Sequence, residues 1–326
     1  MNRLVRTVGL WVALVFSCSV GAARPVLAQS GALFLLVPFG ARAVSLGEAV
    51  SADTALGVEG VWWNAASLAR IPQREVAFHH SQTVIANSEM LTVVVPSRII
   101  GTIAASAYIV DYGDQQATDS LTGAGIGTIT NRNYLLAISY ATPVGKRLGV
   151  GVTYKWAALR FACSGSCGNV KVVSGATSAV DVGAQYALPT ALPLSVGFSV
   201  RNLGPKLQVK DQPQADALPR VIQFGLSSRV PMASLAAAGA ALDVSGDVLS
   251  SAALGGTNVG IGAALSYREQ YFLRAGYKVQ QGDAGGPSLG FGLQRGAFAF
   301  DFSRRFDRLS SLSGQAPTYF TMRARF

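Results

Sequence analysis

From residue 74 to its last residue the chain alternates with a period of two, and that pattern more than any other limits what it can become. Residues 148–156 place Leu148, Val150, Val152, Tyr154 and Trp156 on one face and Gly149, Gly151, Thr153 and Lys155 on the other. Residues 194–201 oppose Leu194, Val196, Phe198 and Val200 to Ser195, Gly197, Ser199 and Arg201. The segments 259–267, 289–294 and 298–303 repeat the same division. One face is bulky and apolar, with aromatics near the strand ends. The other carries Gly, Ser, Ala and Thr with an occasional Lys, Arg or Gln. A water-soluble sandwich buries its bulky face and charges the other. Here the second face is too small and too sparsely charged for a solvated exterior, but it suits the inside of a barrel whose bulky face meets lipid. Closed barrels and helices are the structures that can span lipid, because every backbone polar group must be paired internally.

Composition agrees. Charged residues make up 13% of the chain against about 25% in soluble domains, while mean hydropathy is +0.34. Beyond the N-terminus no run reaches the roughly 20 apolar residues of a membrane helix. The alternation predicts an all-β fold: a transmembrane antiparallel β-barrel of about fourteen strands over residues 74–326, preceded by a small hatch or plug segment. The strands are expected near 74–85, 89–97, 100–112, 132–141, 147–160, 173–187, 192–202, 219–230, 233–244, 257–268, 271–279, 287–294, 296–306 and 317–326. The segment 233–244 is Ala-rich and alternates poorly. Long connections (113–131, 161–172, 203–218, 245–256, 280–286, 307–316) take turns with short ones (98–99, 142–146, 188–191, 231–232, 269–270, 295). Outer-membrane barrels have short periplasmic turns and longer outside loops. The tight connection at 86–88 breaks the alternation. The final strand ends on the aromatic Phe326, as outer-membrane barrels commonly do.

Residues 1–28 read as a secretory signal: Arg3 and Arg6, an apolar run from about Val8 to Phe16, then Val26-Leu27-Ala28 before Gln29. Cleavage after Ala28 removes three arginines and lowers the net charge from +10 to +7. A lipid-modified Cys18 is the alternative, with Phe16 a poor fit before it. Export to the outer membrane leaves Cys163 and Cys167, whose Ser-Gly-Ser spacer could close a disulfide in an oxidising compartment. No cluster of Lys and Arg is longer than two residues and the charges fall singly among the strands, so nucleic acid is not the expected partner; outer-membrane lipid is.

Enzyme chemistry, cofactors and metals find little support. Gly286-Pro287-Ser288-Leu289-Gly290 spells a nucleophile elbow but opens a strand rather than a strand–turn–helix. His79 and His80 are neighbours on a strand and point to opposite faces. Gly123 to Gly127 precedes no helix that would present amides to phosphate. Asp301 is a lumen-side acid with no second carboxylate close in sequence. No enzyme activity, cofactor or metal site is expected.

Residues 29–73 do not alternate and are rich in small side chains. They contain Gly40-Ala41-Arg42-Ala43, Gly47, Ala49, Asp53 and Trp63-Asn64-Ala65-Ala66-Ser67-Leu68. In order and spacing these resemble the N-terminal signature of the PorV/PorQ family, related to the FadL-type channels for long-chain fatty acids. Asp111-Tyr112-Gly113-Asp114, Arg201-Asn202-Leu203-Gly204-Pro205, Leu218-Pro219-Arg220 and Leu273-Arg274-Ala275-Gly276-Tyr277 extend the similarity over roughly 38–326. Glu48, Ala65 and Ser67 depart from it, standing where the family has Gly, Pro and Gly. The resemblance implies a fourteen-stranded barrel with an N-terminal hatch and passage of hydrophobic small molecules, with Arg42, Asp53 and Asn64 positioning or gating the ligand. Arg42 and Asp53 pairing simply to anchor the hatch is the alternative. The PorV likeness also implies an accessory role in type IX secretion, with secretion-system subunits as partners, and a structural outer-membrane protein is a further reading.

Overall fold

The computed structural model describes residues 31–326 apart from 120, 168–172, 211–214 and 281–284. The signal segment 1–28 lies outside the described residues. Fourteen antiparallel strands form the body: β1 Glu75–Gln82, β2 Asn87–Ser97, β3 Gly101–Thr118, β4 Gly125–Val144, β5 Leu148–Gly165, β6 Val173–Ala187, β7 Leu194–Leu203, β8 Val221–Val230, β9 Ala240–Ser251, β10 Gly256–Tyr267, β11 Tyr271–Val279, β12 Gly286–Arg295, β13 Phe298–Arg305 and β14 Thr318–Arg325. Each pairs with its sequence neighbours, and β14 returns to β1 with Glu75 opposite Arg325 and Gln82 opposite Thr318. The sheet therefore closes without an edge, which satisfies the backbone in lipid. The connection between β7 and β8 adds two short pieces: Leu207–Val209 pairs on β6 near Gly175, and Ala215–Asp216 pairs on Leu207–Val209 in turn.

The barrel is inside-out by the standards of a soluble protein. Val152, Tyr154 and Trp156 face outward, Tyr154 with half its surface exposed, while Thr153 and Lys155 are buried. The same holds for Leu289, Phe291 and Leu293 outside against Gly290 and Gly292 inside. Period-two patterning fixes this face by face, because a one-residue slip would turn every apolar side chain into the lumen.

Two expectations need correction. Of the strand expected at 233–244 only 240–244 is strand: Ala233–Ala237 form a short α-helix and β9 begins at Ala240. Alanine has the best intrinsic helix propensity and little to offer a pleated surface, so the Ala-rich stretch turns before the sheet resumes. Consequently residues 245–251 belong to β9, and the long loop expected at 245–256 shrinks to 252–255. The connection at 231–239 becomes the longer one, so the alternation of loop lengths fails there. The long loop expected at 113–131 is also mostly strand. β3 and β4 run on to 18 and 20 residues, well past the 9–11 that cross a bilayer. Their length is spent on a tall hairpin, with a bulge between Asp111 and Asp114, rather than on loop. The other strands lie within a few residues of their expected bounds.

Candidate functional site

Residues 31–73 fold into short helical turns that fill the lumen. Ala41–Ser45 and Gly60–Trp63 are α-helical, and Leu33–Leu36, Gly57–Glu59 and Ala65–Arg70 are 3-10 turns. Such short turns leave many backbone groups without internal partners, and the wall and neighbouring turns supply them. The Glu59 carboxylate accepts the amides of Arg42 (3.1 Å) and Ala43 (2.8 Å) at the start of one helix. Asp247, on β9, accepts those of Val50 (3.1 Å) and Ser51 (2.8 Å) and the Gln223 amide (2.7 Å).

Of the three gating candidates, two meet and one stands apart. Arg42 donates from Nε to Asp53 Oδ2 (2.8 Å) and from Nη2 to Oδ1 (3.3 Å), a buried fork within the hatch. Burial disfavours the Arg42 charge, and Asp53 more than offsets it, so its pKa is raised. Asn64 instead links the hatch to the wall. Its Oδ1 accepts the Ala66 amide (3.1 Å), while Nδ2 reaches the carbonyls of Ser51 (2.7 Å), Ala184 on β6 (3.2 Å) and Phe198 on β7 (3.4 Å). Cys163 and Cys167, at the outer end of β5, form a disulfide.

Residues that the sequence reading passed over do as much. Glu48 holds Lys278 Nζ (2.6 Å) and the Arg305 guanidinium, from β11 and β13. Burial acts to raise its pKa, but the two cations outweigh burial and hold it at about 2. Glu48 also sits at φ +64°, in the left-handed region that favours glycine, so its backbone is held where a side chain is costly. The one signal was an acid standing alone in a run of small residues. Asp301 is likewise not isolated: Arg274 (2.6 Å) and Arg323 (2.8 Å) bind its two oxygens. On the far side Lys155 meets Asp181 (2.5 Å) and lies over the Trp62 ring, and Arg201 lies over Trp63.

The hatch needs a wall without side chains where the backbones touch. Residues 45–47 press against β10, β11 and β12 at Gly262, Gly276 and Gly290; a methyl at Gly262 would lie 2.6 Å from the Leu46 carbonyl oxygen. Across the lumen Ala65 and Ala66 press on Gly151, where a methyl would fall 2.6 Å from the Ala66 nitrogen. The small lumen face is therefore an imprint of the hatch.

Above this seat the lumen turns apolar. His79, Met90, Tyr108, Leu135 and Ala157 stand opposite one another across β1 to β5 as one lumen-facing row, and all are buried. Phe39 packs on His79 (ring centroids 4.3 Å) and on Trp62 (5.6 Å), and Trp62 on Tyr108 (5.2 Å). Val110, Leu159 and Tyr112 carry the apolar surface toward the outer mouth. One level further down the row becomes Thr92, Ser106, Ala137 and Lys155. Ser288, the elbow-like serine, donates to the Ser45 carbonyl. Among the described residues no three His, Cys, Asp or Glu group to hold a metal.

The closed fourteen-strand antiparallel barrel is a fold that this chain shares with solved channel structures. No family model and no curated protein matches the chain. Among solved structures it is similar to the CymD monoaromatic hydrocarbon channel, with TM-score 0.59 and 14% identity over 89% of this chain and 98% of that one. It is also similar to the Pseudomonas putida toluene transporter TodX (0.53, 14%, 87% and 96%) and the Ralstonia pickettii toluene transporter TbuX (0.51, 14%, 90% and 100%).

Proposed function

We propose that this chain is an exported outer-membrane channel that takes up small hydrophobic molecules, with residues 31–73 as its gate. The observation that carries the reading is the apolar row inside the lumen, Met90, Tyr108, Leu135 and Ala157, continued outward by Val110, Leu159 and Tyr112. A water-filled porin lines its lumen with polar groups; an apolar ladder above a plugged floor suits a ligand that leaves water as it enters. Neighbours described as hydrocarbon channels and toluene transporters support the same class of cargo. Phe39 and Trp62 close the row from the hatch side, so passage requires the hatch to shift. Arg42 and Asp53 brace the hatch internally, and Asn64 fastens it to β6 and β7.

The test is uptake of radiolabelled toluene by cells with an intact outer leaflet, comparing a deletion strain with one carrying the gene. Faster uptake with the gene, lost on Tyr108→Asp with the barrel still heat-modifiable, is expected. Equal rates overturn the proposal. A PorV-like secretion role would instead show as stable co-purification with secretion-system subunits from native membranes.

A further inference from the structure

The two ends of the barrel differ in charge. At the short-turn end, beside the exposed Arg70 of the hatch and the Asp243-paired Arg229, six exposed wall cations stand outside any ion pair among the described residues: Arg74 before β1, Arg98 after β2, Lys146 and Arg147 between β4 and β5, Arg268 between β10 and β11, and Arg295 closing β12. Two acids at this end are already engaged, Asp243 by Arg229 (2.9 Å) and Glu75 by Arg325 (3.0 Å), which leaves Glu269 beside Arg268. The turns at 188–193 and 231–239 carry no charge at all, so the cations form an arc from β10 through β14 and on to β5. The opposite end mixes signs, with Asp111 on Arg132 and with Asp114, Asp119 and Asp216 nearby.

Just membrane-ward of the arc lie outward-facing aromatics: Tyr140, Tyr267, Tyr271 and Phe298. Arg268 lies over Tyr267, and the Tyr140 hydroxyl donates to the Ile100 carbonyl (2.7 Å). Such a girdle marks the level of lipid headgroups. Cations of one sign, in a ring at headgroup depth, complement phosphate diesters that carry net negative charge. We infer that this arc is a docking surface for anionic phospholipid headgroups of the leaflet at the short-turn end. It concerns the outer wall and stands apart from what passes through the lumen.

The experiment uses the full barrel in nanodiscs containing equal phosphatidylglycerol and phosphatidylcholine, with retained lipids counted by native mass spectrometry. Retention should favour phosphatidylglycerol by at least about fivefold, the worth of one cation near a charged surface. The preference should fall toward one in the Arg98→Gln/Lys146→Gln/Arg147→Gln/Arg268→Gln variant. Raising salt from about 0.05 to about 0.5 M on the unaltered protein should shrink it as well, because the Debye length contracts severalfold; this arm holds even if the variant does not fold. A heat-modifiable barrel with no preference, or with one that salt and the variant leave unchanged, overturns the inference. So does capture of an acidic periplasmic protein at the arc without lipid preference. Loss of toluene uptake alone would bear on the channel reading and leave this one standing.

Discussion

The hatch rests on two seats that differ in chemistry. Toward β10–β13 it is held by charge: Glu48 between Lys278 and Arg305, with Asp301 between Arg274 and Arg323 behind it. Toward β5–β7 no ion pair joins hatch and wall among the described residues: the hatch is held by amide bonds from Asn64, by the close approach of Ala65 and Ala66 to Gly151, and by Lys155 and Arg201 lying over the Trp62 and Trp63 rings. Removing a neutral partner strands uncharged groups, at a cost of about 1–3 kcal/mol. A buried ionic seat leaves stranded charges, and that asymmetry makes it the stiffer side.

The largest effect should come from Glu48→Ala, which strands Lys278 and Arg305 and should cost roughly 3–5 kcal/mol. Thermal unfolding in detergent, read by the gel mobility shift, checks this, and toluene uptake should rise as the hatch loosens. The triple variant Glu48→Leu/Lys278→Met/Arg305→Met, which removes all three charges together, should recover most of the loss. Recovery in stability without a return to slow uptake would separate latching from bracing. Next is Gly262→Leu, which drives a side chain into the Leu46 backbone; overpacking costs about 1–3 kcal/mol. The same readout applies, and a wild-type transition would deny the close approach. Asn64→Ala should cost about 1 kcal/mol and free the β6–β7 side, a smaller shift than Glu48→Ala by the same assay. If the two were equal, the contrast between the seats would collapse.

The last effect is graded rather than a single loss, a pH slope. Burial, with repulsion from Asp301, pushes the Glu59 carboxyl up to about 7 from an ordinary 4.5. The folded state then binds this proton more tightly than the unfolded chain, so its contribution to stability is full below about 4.5 and declines as pH rises to about 7. Glu48 runs the other way: its contribution is present above 4.5 and is lost as pH falls toward about 2. Between about pH 4.5 and about pH 7.5 the unfolding midpoint of Glu59→Gln should fall less steeply with rising pH than that of the unaltered protein.

The barrel was legible because alternation is a local property, readable strand by strand. It failed at the start of 233–244, where alanines carry neither an apolar nor a polar face and a helical turn takes over. The hatch network was much less legible. Arg42 and Asp53 lie 11 residues apart and form one fork, but the partners of Glu48 are 230 and 257 residues away, and only closure of the sheet brings them together. Asp247 was hidden for a related reason: placing β9 too early left it in an expected loop.

The hatch also constrains how the molecule is made. Its residues precede the described strands in the chain, yet they are gripped by strands from both halves of it, and the seam that encloses them pairs β1 with β14, the first described strand with the fourteenth. Either the wall closes around the hatch or the hatch enters through an open mouth, and in both cases the lumen glycines leave the room that it fills.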